Sequence, residues 1–191
     1  MNDGMRNARL VMNEVVQTAF RSTVEFLPSE FAVMPLSRWN EAVLRYCFCR
    51  FLATANPEVE QFVECDHIDL VLKSSRLVAF VEFKFFIHPR RFDPYDGRAR
   101  GFKGGPGRKN LGELQACIDQ LHERRCTPNL SKHIVLVYAD PADGSRPGLR
   151  YSHDYDQYHH PRSDVALRRV ESSGPIDTTE GMVRAQLYEV G

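Results

Sequence analysis

Apolar side chains recur at helical spacing in two stretches near the N-terminus. In the first stretch they are Met12, Val15, Val16, Ala19 and Phe20, which predicts an amphipathic helix that ends before Pro28. The second stretch follows Pro35, with Ser37 as its N-cap and an apolar stripe made of Trp39, Val43, Tyr46, Cys47 and Phe51. The pair Asn56-Pro57 ends this helix, because proline disfavours helical backbone in the residue before it.

Three strand-like runs follow with short gaps, over residues 59–65, 67–73 and 77–87. Residues 111–124 then show a helical apolar face of Leu114, Cys117, Ile118 and Leu121. Residues 133–138 (HIVLVY) form a short apolar run that is typical of a buried strand. The order of elements is therefore helix, three strands, helix and strand, which predicts an α/β fold.

The C-terminal part of the chain has the weakest pattern. It is predicted to be mostly irregular, with a strand at 165–170 and a short helix at 180–188. A length of 191 residues, with 42% hydrophobic and 26% charged side chains, suits one domain with a sizeable core. We therefore predict a single domain over residues 1–191, made of an N-terminal helical extension, a core and a loop-rich C-terminal extension (1–36, 37–140 and 141–191).

The composition predicts a soluble cytoplasmic protein without membrane association. No run of eighteen apolar residues is present, and the N-terminal sequence MNDGMRNARL lacks the basic-then-apolar order of a secretory signal. The five cysteines show no C-x-x-C spacing, so we expect reduced thiols in the core and no zinc site.

Charge is balanced over the whole chain but not within it. The formal net charge is zero, with 25 basic and 25 acidic side chains. Residues 90–109 (RRFDPYDGRARGFKGGPGRK), here called the basic segment, carry seven Lys or Arg against two Asp and are rich in Gly and Pro. Such a segment is either a solvated loop or, if a phosphoester site lies beside it, a loop that contacts phosphates.

Three charged residues interrupt the most apolar part of the chain, IDLVLKSSRLVAFVEFKFF at residues 68–86: Asp69, Glu82 and Lys84. Side chains alternate across a strand, so Glu82 and Lys84 share one face of the third strand, while Phe83 and Phe85 take the other. Both faces are otherwise apolar, which indicates a central strand with charges in its interior.

The position of Asp69 depends on the register of the hairpin around residues 73–76. With a two-residue loop Asp69 would face Phe80 and lie diagonal to Glu82, and with a four-residue loop it would face Glu82 directly. Either register brings the Cβ atoms of Asp69 and Glu82 to roughly 5 to 8 Å, close enough for one divalent cation to bind both carboxylates. Asp66 would point to the opposite face, which makes it the weaker candidate.

The carboxylates of Asp69 and Glu82 need a compensating charge, because two like charges facing each other in an apolar sheet are destabilising. Oxygen ligands with open positions for water and phosphate suit Mg²⁺ (or Mn²⁺) better than Zn²⁺. Lys84 could stabilise charge that develops on a phosphate, or orient the attacking water and help to deprotonate it. The structural alternative is a buried ion pair between Asp69 and Lys84, with Glu82 reaching solvent.

The motif formed by Asp69, twelve intervening residues and then Glu82-Phe83-Lys84 resembles the PD-(D/E)xK motif of the restriction-endonuclease-like nuclease superfamily. The predicted elements over residues 37–138 are similar to that family's αβββαβ core, in which helices flank a central mixed sheet. The resemblance implies that Asp69 and Glu82 hold a metal ion and that Lys84 is catalytic. It also implies the Phe83 main-chain carbonyl as a further metal ligand.

Two more residues match features that some family members carry. Glu41 corresponds to a glutamate on the helix before the sheet, although it could instead be a surface partner of Arg45 at i+4. Gln115 corresponds to a glutamine on the helix after the sheet. The chain departs from the family name in having Ile68 where the motif has proline.

The resemblance implies a Mg²⁺-dependent nuclease that hydrolyses phosphodiester bonds, with DNA favoured over RNA. The basic segment would then follow the phosphate backbone through Arg98, Arg100, Lys103, Arg108 and Lys109. A homodimer is compatible with this interpretation but is not required by it. The alternative is a catalytically inactive module of the same fold that binds nucleic acid or a protein partner.

One other cluster of candidate ligands lies in the stretch YSHDYDQYHHP: His153, Asp154, His159 and His160. It could form a His/Asp metal site or the centre of a histidine-dependent nuclease, but no matching ligand spacing supports either. We interpret it as a solvated loop. The sequence contains no P-loop motif and no G-x-S-x-G nucleophile elbow.

Overall fold

A seven-stranded mixed sheet with helices on both faces forms the framework of the chain in the computed structural model. The structure describes residues 3–75, 77–89, 94–95, 102–124, 127, 129–140, 151–178 and 181–191. The predicted α/β class is confirmed, and the predicted order of helix, three strands, helix and strand is present.

The helices are α1 (Asp3–Val33), α2 (Glu41–Ala55), α3 (Arg108–Glu123) and the short α4 (Tyr151–Asp156), with a 3₁₀ turn at Leu36–Arg38. The strands are β1 (Glu60–Cys65), β2 (Ile68–Ser74), β3 (Leu77–Phe86), β4 (His88–Pro89), β5 (Phe102–Lys103), β6 (Leu130–Asp140), β7 (Leu167–Ser172), β8 (Ile176–Thr178) and β9 (Gly181–Val190). β4 and β5 form a separate two-stranded ribbon, and the other seven strands form the main sheet.

The main sheet has the strand order β1-β2-β3-β6-β9-β7, and β8 also pairs with β9. β3 and β6 are parallel, whereas the other neighbouring strands are antiparallel. The connection between the two parallel strands includes α3, which packs with α4 on one face of the sheet, while α1 and α2 pack on the other. β6 is buried along its whole length, as its apolar run predicts.

The N-terminal helix is longer than predicted, because it continues through Pro28 to Val33. Its last turns are held by burial of Leu27 and Phe31, and the Phe31 ring packs edge-on against Trp39 with ring centroids 4.7 Å apart. A proline in a helix removes one backbone hydrogen bond, and tertiary packing on both sides of Pro28 offsets that loss.

The N-cap of α2 also differs from the prediction. Ser37 lies in the 3₁₀ turn, and the helix begins at Glu41. Asn40 is the cap, since its Oδ1 accepts a hydrogen bond from the Val43 N–H at 3.0 Å. Glu41 therefore occupies the first position of α2, whereas an N-cap at Ser37 would have placed it one turn into the helix.

The C-terminal extension agrees with the prediction only in part: the strand predicted over residues 165–170 is present as β7, whereas the helix predicted after it is wrong. In place of the helix predicted over residues 180–188 lies β9, paired with β6 on one side and β7 on the other. Val183, Ala185 and Leu187 alternate toward the core under α1 and α2. Pairing with β6 favours a strand over a helix here, because it satisfies the backbone hydrogen-bonding groups of this segment and buries these side chains at the same time.

The Tyr/His-rich stretch is a solvated loop only in part: Asp154 and His159 are exposed, and the His153 side chain lies outside the described residues. It begins with α4, where the Tyr155 side chain is fully buried and donates a hydrogen bond to the Gly104 carbonyl at 2.9 Å. The His160 side chain is also buried, with Nε2 3.4 Å from Asp119 Oδ1. Among the cysteines, the expectation of core thiols fails for Cys65, which is exposed on β1. None of the described helices is both long and apolar enough to cross a membrane.

Candidate functional site

The hairpin of β2 and β3 places two carboxylates opposite each other. The paired register ends at Leu70↔Val81, and continuing it by one position sets Asp69 opposite Glu82. The register in which Asp69 faces Glu82 directly is therefore the one observed, although the loop between β2 and β3 has only two residues. The predicted relation between loop length and register is wrong, because β2 runs one residue further than expected.

Glu82 and Lys84 lie on the face of the sheet that carries α3. Phe80 and Phe86, which have the same parity, belong to the apolar cluster under α3. The residues at odd positions of β3 belong to the cluster under α1 and α2. The alternation predicted from the sequence is thus present, and both charges lie beneath a helix rather than at a solvent-facing strand end.

Beyond its last pair with β2, β3 has no strand partner on that edge within the described residues, and we call this part of the strand its open edge. The Phe83 N–H donates to Asp69 Oδ2 at 2.9 Å, and the Phe85 N–H donates to Glu41 Oε1 at 3.4 Å. Two carboxylates therefore stand where a neighbouring strand would supply carbonyl oxygens. Since the N–H and C=O of a strand residue point to the same edge, the Phe83 carbonyl lies at this edge as well.

Both parts of the structural alternative are wrong. Lys84 pairs with Glu41, with Nζ 3.6 Å from Oε1, and not with Asp69. Glu82 does not reach solvent, because only 6% of its surface is exposed. Glu41 therefore pairs with Lys84 and accepts a hydrogen bond from the edge of β3. It is not the partner of Arg45, whose guanidinium bonds other carboxylates.

Arg45 is a site residue that the sequence reasoning missed. Its two terminal nitrogens bond Asp69 Oδ1 at 2.8 Å and Glu64 Oε1 at 2.6 Å, and its surface is only 8% exposed. One signal was available: Arg45 lies within the buried stripe of α2, next to Leu44 and one turn before Phe48. An arginine at such a position requires an anionic partner.

Gln120 on α3 is a second residue that the sequence reasoning missed. Its Nε2 donates to Glu82 Oε1 at 3.3 Å and to the His67 carbonyl at 2.5 Å. Gln115, predicted for this role, is half-buried and has no hydrogen bond to the site within the described ranges. Relative to Cys117, which lies over the site, Gln120 is about 60° around the helix and Gln115 about 160°. A role for Gln115 stays a prediction.

Without a bound metal ion, the neighbouring carboxyl groups of Asp69 and Glu82 interact unfavourably when both are charged. Burial, and then the charge and hydrogen bond of Asp69, raise the pKa of Glu82 from 4.5 to about 8. Burial acts to lower the pKa of Lys84, but Cys117, Glu41, Asp69 and Glu82 together raise it. Burial raises the pKa of the Cys117 thiol, which keeps it neutral, so the carboxylates are what hold Lys84 as an ammonium ion.

Most of the basic segment lies outside the described residues. Arg98, Arg100 and the Lys103 side chain fall outside them. Arg108 and Lys109 are exposed at the start of α3, and Lys109 Nζ is 3.7 Å from Glu113 Oε1. The backbone at Gly104 packs directly against the sheet, since a Cβ there would collide with the Phe86 carbonyl and would lie 2.5 Å from the Ala139 nitrogen.

The donor atoms fit a hard divalent cation. Asp69 and Glu82 contribute two carboxylates, the Phe83 carbonyl adds a third oxygen, and Glu82 is bonded to an amide rather than to a cation. Over the part of the chain that the structure describes, no three His, Cys, Asp or Glu side chains are grouped to hold a metal ion. Mg²⁺ does not require such a group, because it keeps several waters and takes only one or two carboxylates.

Comparison with known proteins gives no further assignment. No family model, no curated protein and no solved structure matches this chain. What the site can do therefore follows from its geometry and its chemistry.

Proposed function

We propose that this protein is a Mg²⁺-dependent nuclease that hydrolyses phosphodiester bonds, with DNA as the favoured substrate. The observation that carries the proposal is the convergence of Asp69, Glu82 and Lys84 on one face of β2 and β3, at an open strand edge. The resemblance of this trio to the PD-(D/E)xK motif supports it. The order α2, β1, β2, β3, α3, β6 agrees with the αβββαβ core of that superfamily.

The need for charge compensation supports a cation at this position. Arg45 neutralises Asp69, but Glu82 is buried against an amide and faces a second carboxylate. Burial of Glu82 beside a second carboxylate costs stability in the free protein. Strain of this kind concentrates at functional sites, where it is relieved by a ligand.

Each side chain has a distinct role in the proposed reaction. Asp69 and Glu82, with the Phe83 carbonyl, would hold the cation, which when bound would polarise the phosphodiester and the attacking water. Lys84 directs its ammonium group toward charge that develops on the phosphate. Glu41 orients Lys84 through their ion pair and keeps the lysine charged.

The position of the basic segment supports a polyanionic substrate. The segment leaves the sheet just after β3, which carries Glu82 and Lys84, and returns at Gly104 against the Phe86 carbonyl. The segment therefore follows closely in the chain on the strand that carries Glu82 and Lys84, and at Gly104 it contacts the end of that strand. Phosphate contacts from such a segment would position a nucleic acid without reading its sequence.

The direct test is a cleavage panel. The purified protein is incubated with circular and linear duplex DNA, single-stranded DNA and RNA, each with Mg²⁺, Mn²⁺ or EDTA. We expect cation-dependent cleavage that is lost in Asp69→Asn and Glu82→Gln and retained in Glu58→Gln. Glu58 is exposed just before β1, at the opposite end of the β1–β2 pair from Asp69. Cleavage that survives equally in all three variants would come from a contaminant or another site.

An inactive module of the same fold is the second candidate. The observation that favours it is the Arg45 guanidinium on Asp69, which satisfies one carboxylate oxygen without a metal ion. This candidate predicts nucleic-acid binding without cleavage and without measurable Mg²⁺ or Mn²⁺ affinity. Calorimetric metal titration of the wild type separates the two candidates.

A further inference from the structure

Arg45 helps to fix the position of the Asp69 carboxylate. The guanidinium bonds Oδ1 at 2.8 Å while the Phe83 N–H bonds Oδ2 at 2.9 Å, so both oxygens of the carboxylate are held from different sides. The same guanidinium bonds Glu64 at the rim of the site. Bridging contacts of this kind suit arginine, whose donors lie in a rigid plane.

The charges around Asp69 define how much positive charge the site can take. Among the residues that the structure describes, four carboxylates and two cationic side chains are linked by ion pairs or direct electrostatic interaction: Glu41, Glu64, Asp69, Glu82, Arg45 and Lys84. With all six ionised the cluster has two more negative than positive charges, which one divalent cation balances. A second divalent cation would leave the cluster strongly positive in a partly buried site, where charge repulsion is weakly screened.

We propose that Arg45 is a positioning residue that restricts the Asp69–Glu82 site to a single divalent cation. The inference rests on the proposed function. The guanidinium bonds the Asp69 oxygen that does not accept the Phe83 N–H. It therefore occupies the position in which a second cation shared by Asp69 and Glu64 would bind. Arg45 supplies permanently the charge that such a cation would bring, and it leaves Glu82 and the open edge of β3 for the one exchangeable ion.

The test counts bound cations rather than turnover. Mn²⁺ is titrated into the full chain by calorimetry, and bound Mn²⁺ is counted independently by electron paramagnetic resonance. The variants are Arg45→Gln, which removes the charge, and Arg45→Lys, which keeps it. Arg50→Gln is the matched control, because Arg50 lies on the same helix but pairs with Glu30 at the surface. Circular dichroism checks that each variant is folded.

We expect one Mn²⁺ per chain for the wild type, Arg45→Lys and Arg50→Gln. For Arg45→Gln we expect a second Mn²⁺ per chain, because the positive charge beside Asp69 and Glu64 has been lost. Rescue by lysine would show that the positive charge at this position is what limits the count, because the shorter lysine side chain would not restore the packing of the arginine.

Three outcomes overturn the inference, and they differ in what else they affect. Two Mn²⁺ per wild-type chain would overturn it and leave the nuclease proposal standing, and this count decides the matter even if Arg45→Gln does not fold. Arg45→Gln that binds Mn²⁺ like the wild type would also overturn it alone. Absence of Mn²⁺ binding by the folded wild type would overturn the proposed function and this inference together.

Discussion

Asp69 replaces a strand partner for Phe83: its Oδ2 accepts the Phe83 N–H at 2.9 Å just where β2 stops pairing with β3. The other oxygen accepts the Arg45 guanidinium at 2.8 Å. Asp69 is therefore both a proposed metal ligand and a structural acceptor, so its substitutions will affect stability as well as chemistry.

Replacement of Asp69 should separate these two roles. Asp69→Ala leaves the Phe83 N–H without an acceptor and the Arg45 guanidinium with Glu64 alone, which should lower the free energy of unfolding by about 1–3 kcal/mol. Asp69→Asn keeps one acceptor oxygen and relieves repulsion with Glu82, so its loss should be smaller. Urea unfolding in EDTA measures both, with Glu58→Ala as the surface control. Equal stability of Asp69→Ala and the wild type would contradict the structural role.

The charged trio could be predicted because its signal is local. Charges inside an apolar run, spaced by strand parity, need only the alternation of β3 and the short gap before it. The same parity predicts that Glu82 and Lys84 share a face, and the apolar clusters on each side of the sheet agree.

Two partners of the trio, Arg45 and Gln120, could not be assigned from the sequence, since they come from distant elements. Arg45 reaches Asp69 from α2 and Gln120 reaches Glu82 from α3, and an apolar stripe indicates which face of a helix meets the sheet but not which strand residue lies beneath it. Likewise, residues 181–190 become β9 only because β6 offers them an unpaired edge. Local propensity gives way where a long-range pairing satisfies the backbone.

Glu82→Gln should change how stability depends on pH. The folded-state pKa of Glu82 is raised from 4.5 to about 8, so its contribution to stability is fully present below pH 4.5 and is lost as the pH rises through about 8. The glutamine side chain does not titrate, so the variant should gain on the wild type by at least about 1 kcal/mol between pH 5 and pH 9. Unfolding in EDTA at several pH values measures the difference.

The Glu82→Gln profile has a matched control in Glu58→Gln, which is exposed and should follow the wild type at every pH. Parallel curves for wild type and Glu82→Gln would mean that Glu82 ionises without cost in the folded chain.

Lys84→Ala should reduce turnover without removing a metal ligand. We expect cleavage to fall by about 10²-fold or more, of the order seen when one electrostatic stabiliser is lost. Metal affinity should stay the same or rise, because a nearby positive charge is gone. Calorimetry and a cleavage assay on the same preparation measure the two effects, with the exposed Lys73→Ala as control. Wild-type cleavage by Lys84→Ala would leave the lysine as a structural partner of Glu41 only.

The basic segment should set the salt dependence of binding. Replacing Lys103 and Lys109 with alanine should weaken binding to duplex DNA and flatten the slope of log affinity against log salt by about 0.9 for each phosphate interaction removed. The Lys109–Glu113 pair is exposed and offers little competition for a phosphate. Fluorescence anisotropy over a range of salt concentrations measures the slope. A slope equal to that of Lys73→Ala would remove the segment from the binding surface.

The turn between β1 and β2 is strained, and relieving the strain should stabilise the protein without affecting the site. Asp66 and His67 have φ values of 51° and 62°, in the left-handed region that favours glycine. His67→Gly removes the Cβ that makes this conformation costly, and after the entropic cost of glycine we expect a net gain of about 0.5–1 kcal/mol in the free energy of unfolding. Urea unfolding with equal m-values measures it.

His67→Ala is the matched control, because alanine removes the imidazole but keeps the Cβ and therefore the strain. The main-chain carbonyl of residue 67 remains in both variants, so Gln120 keeps its acceptor and continues to hold Glu82. Cleavage should consequently stay at the wild-type rate in both. If alanine stabilised the protein as much as glycine, the gain would come from loss of the imidazole, and backbone strain at this turn would not be its cause.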